Sequence, residues 1–170
     1  MQAVSISVIC LLLLQYVLRY LYRQLTLLRK NLKAVIIGIV SGVLASMVSV
    51  LLFAKLFRLS HEQYVTLLPK SITTAIGMGV SEELGGIVTI TVAVIIITGV
   101  LGNMIAETVI KLAHIEEPIA KGLALGTSAH AIGTAKAMEL GEVEGAMSSL
   151  AIAVAGLLTV VSASVFAQFM

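Results

Sequence analysis

"GTSAHAIGTAKAMELGEVEG", Gly126 to Gly145, decides how this chain folds. It sets one histidine, one lysine and three glutamates among glycine, serine and threonine, between two apolar runs. Two readings are open. If the stretch is a solvated loop, His130 and Lys136 are ordinary surface residues. If it enters a bilayer, it carries costly polar chemistry to a depth where such groups face a cavity or the protein interior.

The rest of the chain favours the bilayer. Of 170 residues, 59% are hydrophobic, mean hydropathy is +1.08 and only 12% are charged, against roughly 25% in soluble domains. There is no Asp and no Trp. Lipid, not a soluble core, accommodates that composition. The length has room for four spans of about 20 residues each plus shorter pieces. The expected fold is therefore all-α: a polytopic integral membrane protein with about four transmembrane helices and two broken or re-entrant helices.

Composition also excludes functions. A net charge of +2, with the basic residues dispersed, does not suit nucleic acid. Cys10 has no partner, so there is no disulfide. His61, His114 and His130 lie far apart without Cys or Asp companions, so neither a metal nor another cofactor is expected. "TSAH" has no acid placed to orient its histidine, and no G-x-S-x-G elbow or phosphate-binding Gly-Lys motif occurs. The chain does not read as an enzyme.

Four apolar runs mark the spans. The first, Ala3 to Leu18, lacks the flanks of a signal peptide, and Tyr16, Tyr20 and Tyr22 follow at interfacial depth. Arg19, Arg23, Arg29, Lys30 and Lys33 then form an acid-free basic loop. The positive-inside rule puts that loop in the cytoplasm and the N-terminus outside. Ala34 to Ala54 is a packing span, with Gly38, Gly42 and Ser46 at four-residue spacing. Ile87 to Ile110 has a packing notch at Gly99 and Gly102, and Glu107 is placed to pair with Lys111. Ala146 to Phe169 closes the chain.

Two weakly apolar stretches, Pro69 to Gly86 and Pro118 to Gly145, each start at a proline suited to a first helical turn. At an offset of 56, Ala75-Ile76-Gly77 falls on Ala131-Ile132-Gly133, and Glu83-Leu84-Gly85 on Glu139-Leu140-Gly141. The chain reads as a single membrane domain over 1–170: an N-terminal span and basic loop at 1–33, a packing span at 34–68, and two repeat elements at 69–110 and 118–170. With both stretches re-entrant, the two elements are inverted, as in transporters with discontinuous helices.

Broken helices in lipid aim unpaired N–H groups at whatever lies between them. Two such ends, near Gly126-Thr127-Ser128 and near Ser71-Thr73-Thr74, suit a small carboxylate. Thr73, Thr74, Thr127 and Ser128 would donate to it or cap the helix starts. Thr134, Lys136 and His130 would complete the site, with His130 coupling protons to binding. Glu82, Glu83 and Glu139 stand at the rim or as coupling groups, although "MELGEVEG" also reads as a solvated turn. Lys70 reads as an interfacial anchor, and His61 and His114 as solvated loop residues.

"LLPKSITTAIGMGVSEELGG" and "GLALGTSAHAIGTAKAMELGEVEGAMSSLA" resemble the LrgB/CidB family of bacterial membrane proteins over roughly residues 20 to 170, with Gly126, His130, Gly133, Lys136 and Glu139 carrying most of the likeness. The resemblance implies a multi-pass protein of the bacterial cytoplasmic membrane and two functions. One is passage of a small monocarboxylate of the pyruvate or glycolate class. The other is holin/antiholin-like modulation of murein hydrolase activity and autolysis with an LrgA/CidA-type membrane partner. Typical members carry several more hydrophobic segments before the basic loop, so this chain is either shortened or in need of a partner chain. Four spans are few for a carrier, and a homo-oligomer or a hetero-complex is expected.

Overall fold

The computed structural model describes the backbone of residues 6–170 and the side chains of Thr26 and residues 28–170. Among the described residues all regular structure is helical: α1 (Ile6–Leu56), α2 (His61–Leu67), α3 (Thr74–Glu83), α4 (Val88–Leu112), α5 (Pro118–Leu140), α6 (Glu142–Phe166) and a final 3-10 turn, Ala167–Phe169. The described residues divide into two compact units, one ending at Val35 and the other Ile36–Met170. In the first, the expected basic loop is instead helical, with regular geometry lost only at Asn31 (φ −112°, ψ 15°). The positive-inside rule speaks to where charges lie, not to backbone conformation, and Leu, Arg, Gln and Lys are good helix formers.

Three described helices are long and apolar enough to cross a membrane: Leu28–Leu56, Val88–Leu112 and Glu142–Phe169. The expected span at 3–18 lies outside the residues described in full. Large apolar side chains point outward on these helices: Ile37, Leu52, Met104, Leu157 and Val161 are all more than half exposed. The inward face of α6 is small, with Ala151, Ala155, Gly156 and Ala163 buried. Lipid solvates large apolar groups as well as a core would, so helix contacts here rest on close backbone approach.

Between the spans lie two helical hairpins. In the first, α2 opens on a Ser60–Gln63 capping box and starts beside the end of α6, where the Tyr64 hydroxyl donates to Phe166 O (2.9 Å). Residues 68–73 turn, and α3 returns along α4: Gly77 faces Ile95, and Ser81 meets Thr91. The helix start expected at Pro69 lies at Thr74 instead, because Pro69 sits in this turn. Gly85, at φ +79°, ends α3, with Gly86 N–H donating back to Ser81 O (2.7 Å). A polar knot ties the hairpin's open end to α4. The buried Thr91 hydroxyl lies 2.9 Å from Thr66 O and 2.7 Å from Ser81 Oγ, and Ile87 N–H donates to Thr66 Oγ1 (2.8 Å).

The second hairpin is α5 itself. It opens with Pro118 in its first turn, as expected, and reverses at a single residue, His130 (φ 43°, ψ −135°). The arms 118–129 and 131–140 pack together. A Cβ on Gly133 would lie 2.6 Å from Ala129 Cβ and 2.7 Å from Leu125 O, contacts a straight helix does not allow. Leu125 and Ala137, twelve residues apart, share one buried cluster with Ala106 of α4. The first arm lies almost backbone to backbone on α6: a Cβ on Gly122 or Gly126 would fall 2.4 Å from Glu144 O or 2.5 Å from Ser148 O. The second arm runs back past the same turns of α6, with Thr134 on Ser148 and Met138 on Gly145. Only Gly141 separates α5 from α6, so the expected solvated turn at "MELGEVEG" is a one-residue break between helices, with Glu139 and Glu142 exposed and Glu144 buried.

Candidate functional site

His130 is the pivot of the second hairpin. Its dihedrals fall where L residues other than glycine are strained, at a cost on the order of 1–3 kcal/mol that surrounding contacts must offset. Those contacts are visible. The side chain is 3% exposed. Its Nε2 donates to Ile95 O across to α4 at 2.9 Å, and its own carbonyl accepts from Thr134 Oγ1 at 3.1 Å. The ring lies over Gly99, where a Cβ would come within 2.6 Å of Cε1. The notch expected at Gly99 and Gly102 thus receives His130 and Ala129. Asn103 Nδ2 adds a bond to Ile132 O (3.0 Å), a backbone group just past the reversal.

The two hairpin turns meet inside the bundle. Leu68, Ser71 and Ile72 of the first and Thr127 of the second line a small void of about 10 Å³ with Val43, Ser46 and Met47 of α1 and Ala155 and Thr159 of α6. Four of these nine residues bear hydroxyls, and the volume is close to the minimum for one water, on the order of 10–15 Å³. Ser46 Oγ donates to Ser71 Oγ (3.0 Å), which also accepts from Lys70 Nζ (2.9 Å). Lys70 therefore lies at the hairpin turn, half-buried, and is not the interfacial anchor its neighbouring proline suggested.

The expected site residues divide. Thr127, His130 and Thr134 are buried around the reversal, with Gly126 against α6. Thr127 and Ser128 do not cap a helix start. They close the first arm, their hydroxyls donating to Leu123 O (2.8 Å) and Ala124 O (2.6 Å) one turn back. The helix that begins near this point starts after His130, not at Gly126. Thr73 is the N-cap of α3 without a side-chain cap bond, and Thr74 is half-buried beside it. Glu82 and Glu83 are exposed at the far end of α3.

Lys136 sits apart from the reversal, pairing with Glu139 (3.0 Å) and with Glu107 of α4 (2.8 Å), while Glu107 also reaches Lys111 (3.5 Å). The Glu107–Lys111 pair follows from i,i+4 spacing. The Glu107–Lys136 pair crosses 29 positions and has no local signal. Nearby, Glu107, Lys111, His114, Glu116 and Lys121 line a polar recess at the open end of this hairpin. His114 is an exposed loop residue, as expected, whereas His61 is exposed but opens α2. No group of three or more His, Cys, Asp or Glu gathers as a metal site among the described residues.

Long helices with exposed apolar sides and broken helical hairpins packed between them define an all-helical integral membrane protein. The chain matches the family described as the LrgB-like family over residues 6–169, and it belongs to that family. It is 40% identical over 149 residues to the proteins named "Antiholin-like protein LrgB" of Bacillus mycoides (strain KBAB4), Bacillus cereus (strain B4264) and Bacillus anthracis (strain CDC 684 / NRRL 3495). The match covers 88% of this chain and 65% of each of those proteins, so the chain spans just under two thirds of the length of these relatives. No solved structure matches it.

Proposed function

We infer that the protein is a non-enzymatic, antiholin-like modulator of autolysis in a bacterial cytoplasmic membrane. The observation that carries this reading is the 40% identity to antiholin-like proteins over 88% of the chain. On this reading the chain works with lipid around it and with an LrgA/CidA-type membrane partner or further copies of itself. The basic segment between Arg19 and Lys33 is cytoplasmic and the N-terminus outside. The test is autolysis in cells lacking their own LrgB-type protein. Expression of this chain should slow detergent-triggered lysis, and unchanged lysis with the protein present in the membrane rejects the reading.

A second reading, passage of a small monocarboxylate, is favoured by one feature. The α2–α3 hairpin starts beside the end of α6, α5 starts from the opposite end of the bundle, and their turns meet at Ser71 and Thr127. Each hairpin is followed by a span, and the 56-residue offset pairs Thr74, where α3 starts, with His130, where α5 reverses. These placements support an inverted repeat with discontinuous helices. In this reading Thr73, Thr74, Gly126, Thr127, Ser128, His130, Thr134 and Lys136 serve the anion, with Glu82, Glu83 and Glu139 at the rim. Uptake of radiolabelled pyruvate or glycolate into proteoliposomes tests it. His130→Ala and Lys136→Ala should each abolish uptake from protein that remains inserted. Lysis control that survives both changes separates the two activities.

A further inference from the structure

Lys70 is the described cation whose charge the fold leaves uncompensated at depth. Lys136 has two carboxylates and Lys111 has one. The Lys70 ammonium donates to the Ser71 hydroxyl, and among the described residues no carboxylate pairs with it. It stands at the turn of the first hairpin, level with the middle of α6, where Ser71 and Ile72 share a void with Ala155. An ammonium without a counter-ion at such depth is expensive.

The same lysine heads a groove of about 470 Å³ running along α4 and the first arm of α5. Its other polar side chains are the hydroxyls of Thr98 and Ser128. The rest of its wall is apolar, built from residues such as Leu101, Ile105, Val109 and Leu125, and no carboxylate lines it. Leu101, Ile105 and Val109 are about half exposed, so the groove opens sideways, toward the lipid face of α4.

We propose that this groove binds an amphiphilic monocarboxylate, its carboxylate on the Lys70 ammonium and its apolar tail along Leu101, Ile105 and Val109. Charge complementarity sets the head group: one unpaired monovalent cation with hydroxyls beside it suits one carboxylate. Wall chemistry sets the tail. Size separates this ligand from two- or three-carbon acids, since about 470 Å³ is far more than the roughly 10–15 Å³ that one water needs. A phospholipid head group is a poorer occupant, because its phosphate belongs at the membrane surface and Lys70 lies at the buried end of a hairpin. The site goes beyond the monocarboxylate reading, whose acids are of the pyruvate or glycolate class, and its binding is measurable without flux.

The test uses the full chain in nanodiscs of zwitterionic lipid and equilibrium dialysis of radiolabelled octanoate, with protein-free nanodiscs subtracted. Saturable octanoate binding is expected, with octanol and acetate each at least tenfold weaker competitors. Lys70→Gln should weaken octanoate at least tenfold and Lys70→Arg should retain it. Ala124→Leu, which fills the groove and leaves the ammonium in place, should also weaken it. Non-saturable partitioning, equal binding by Lys70→Gln, or acetate competing as well as octanoate overturns the site. If Lys70→Gln loses its helical signal in circular dichroism, Ala124→Leu decides, and unchanged binding there overturns the site. Octanoate binding without uptake of any acid removes the passage reading and keeps the site; uptake of pyruvate without octanoate binding does the reverse.

Discussion

Gly99→Ala is the sharpest probe of how the second hairpin is held. The added methyl would lie 2.6 Å from His130 Cε1, 2.7 Å from its Nε2 and 2.8 Å from Ile132 Cδ1. Each of these belongs to a side chain packed at the reversal, so the imidazole must move. Moving it breaks the Nε2–Ile95 O bond, both ends of which are buried. Overpacking costs about 1–3 kcal/mol, and a buried hydrogen bond left unmade about 1–3 kcal/mol. Alanine returns up to about 1 kcal/mol of helix propensity. Central values leave a loss of about 3 kcal/mol. The chain has no Trp, so unfolding in mixed micelles of increasing SDS fraction is best followed by far-UV circular dichroism. Gly79→Ala is the control: nothing lies within 4 Å of its Cβ position, and it should be neutral or mildly stabilising. In a His130→Ala background the methyl has space, so the two effects should be strongly non-additive. A Gly99→Ala protein as stable as wild type, or simple additivity in the double mutant, refutes the clamp.

Thr91→Val keeps the shape and removes the buried hydroxyl that joins Thr66 O to Ser81; a loss of about 1–3 kcal/mol is expected in the same unfolding assay. Gly42→Ala pushes a methyl to 2.7 Å from Thr127 Oγ1 and 2.9 Å from its Cβ, and should cost about 1–3 kcal/mol, partly relieved when Thr127→Ala removes the hydroxyl. Glu107→Gln should leave the melting curve nearly unchanged, because Lys136 keeps Glu139 and the Glu107 carboxylate is about half exposed. With Cys10 replaced by Ser, single cysteines at Thr127 and Thr134, both buried, should resist a membrane-impermeant maleimide, while one at Glu139, which is exposed, should react.

Small residues made much of the packing legible. The four-residue spacing of Gly38 and Gly42 marks real contacts, with Leu123 and Thr127 of α5. Gly99 and Gly102 were readable as a notch, because a missing side chain is itself a packing signal. Prolines and glycines placed both interrupted stretches between the right spans. The partner of His130 was not legible, since Ile95 contributes only its carbonyl, a group every residue has. Nor was a reversal at one residue: "LGTSAHAIGTAKA" has the composition of a continuous small-residue helix, and its turn is forced by tertiary contacts. Lys70 was misread for a related reason. Beside a proline it resembles a boundary residue, and only the packing of α2 and α3 carries that boundary inward.

The near-contact of Gly122 and Gly126 with the α6 backbone sets an order of events during synthesis. The surface that shelters the first arm of α5 lies downstream of it, and at 118–129 that arm is too short to cross the membrane alone. A nascent chain halted before α6 emerges from the ribosome would leave the hairpin without its berth. Insertion of this half is therefore a joint event, completed only when the last helix arrives.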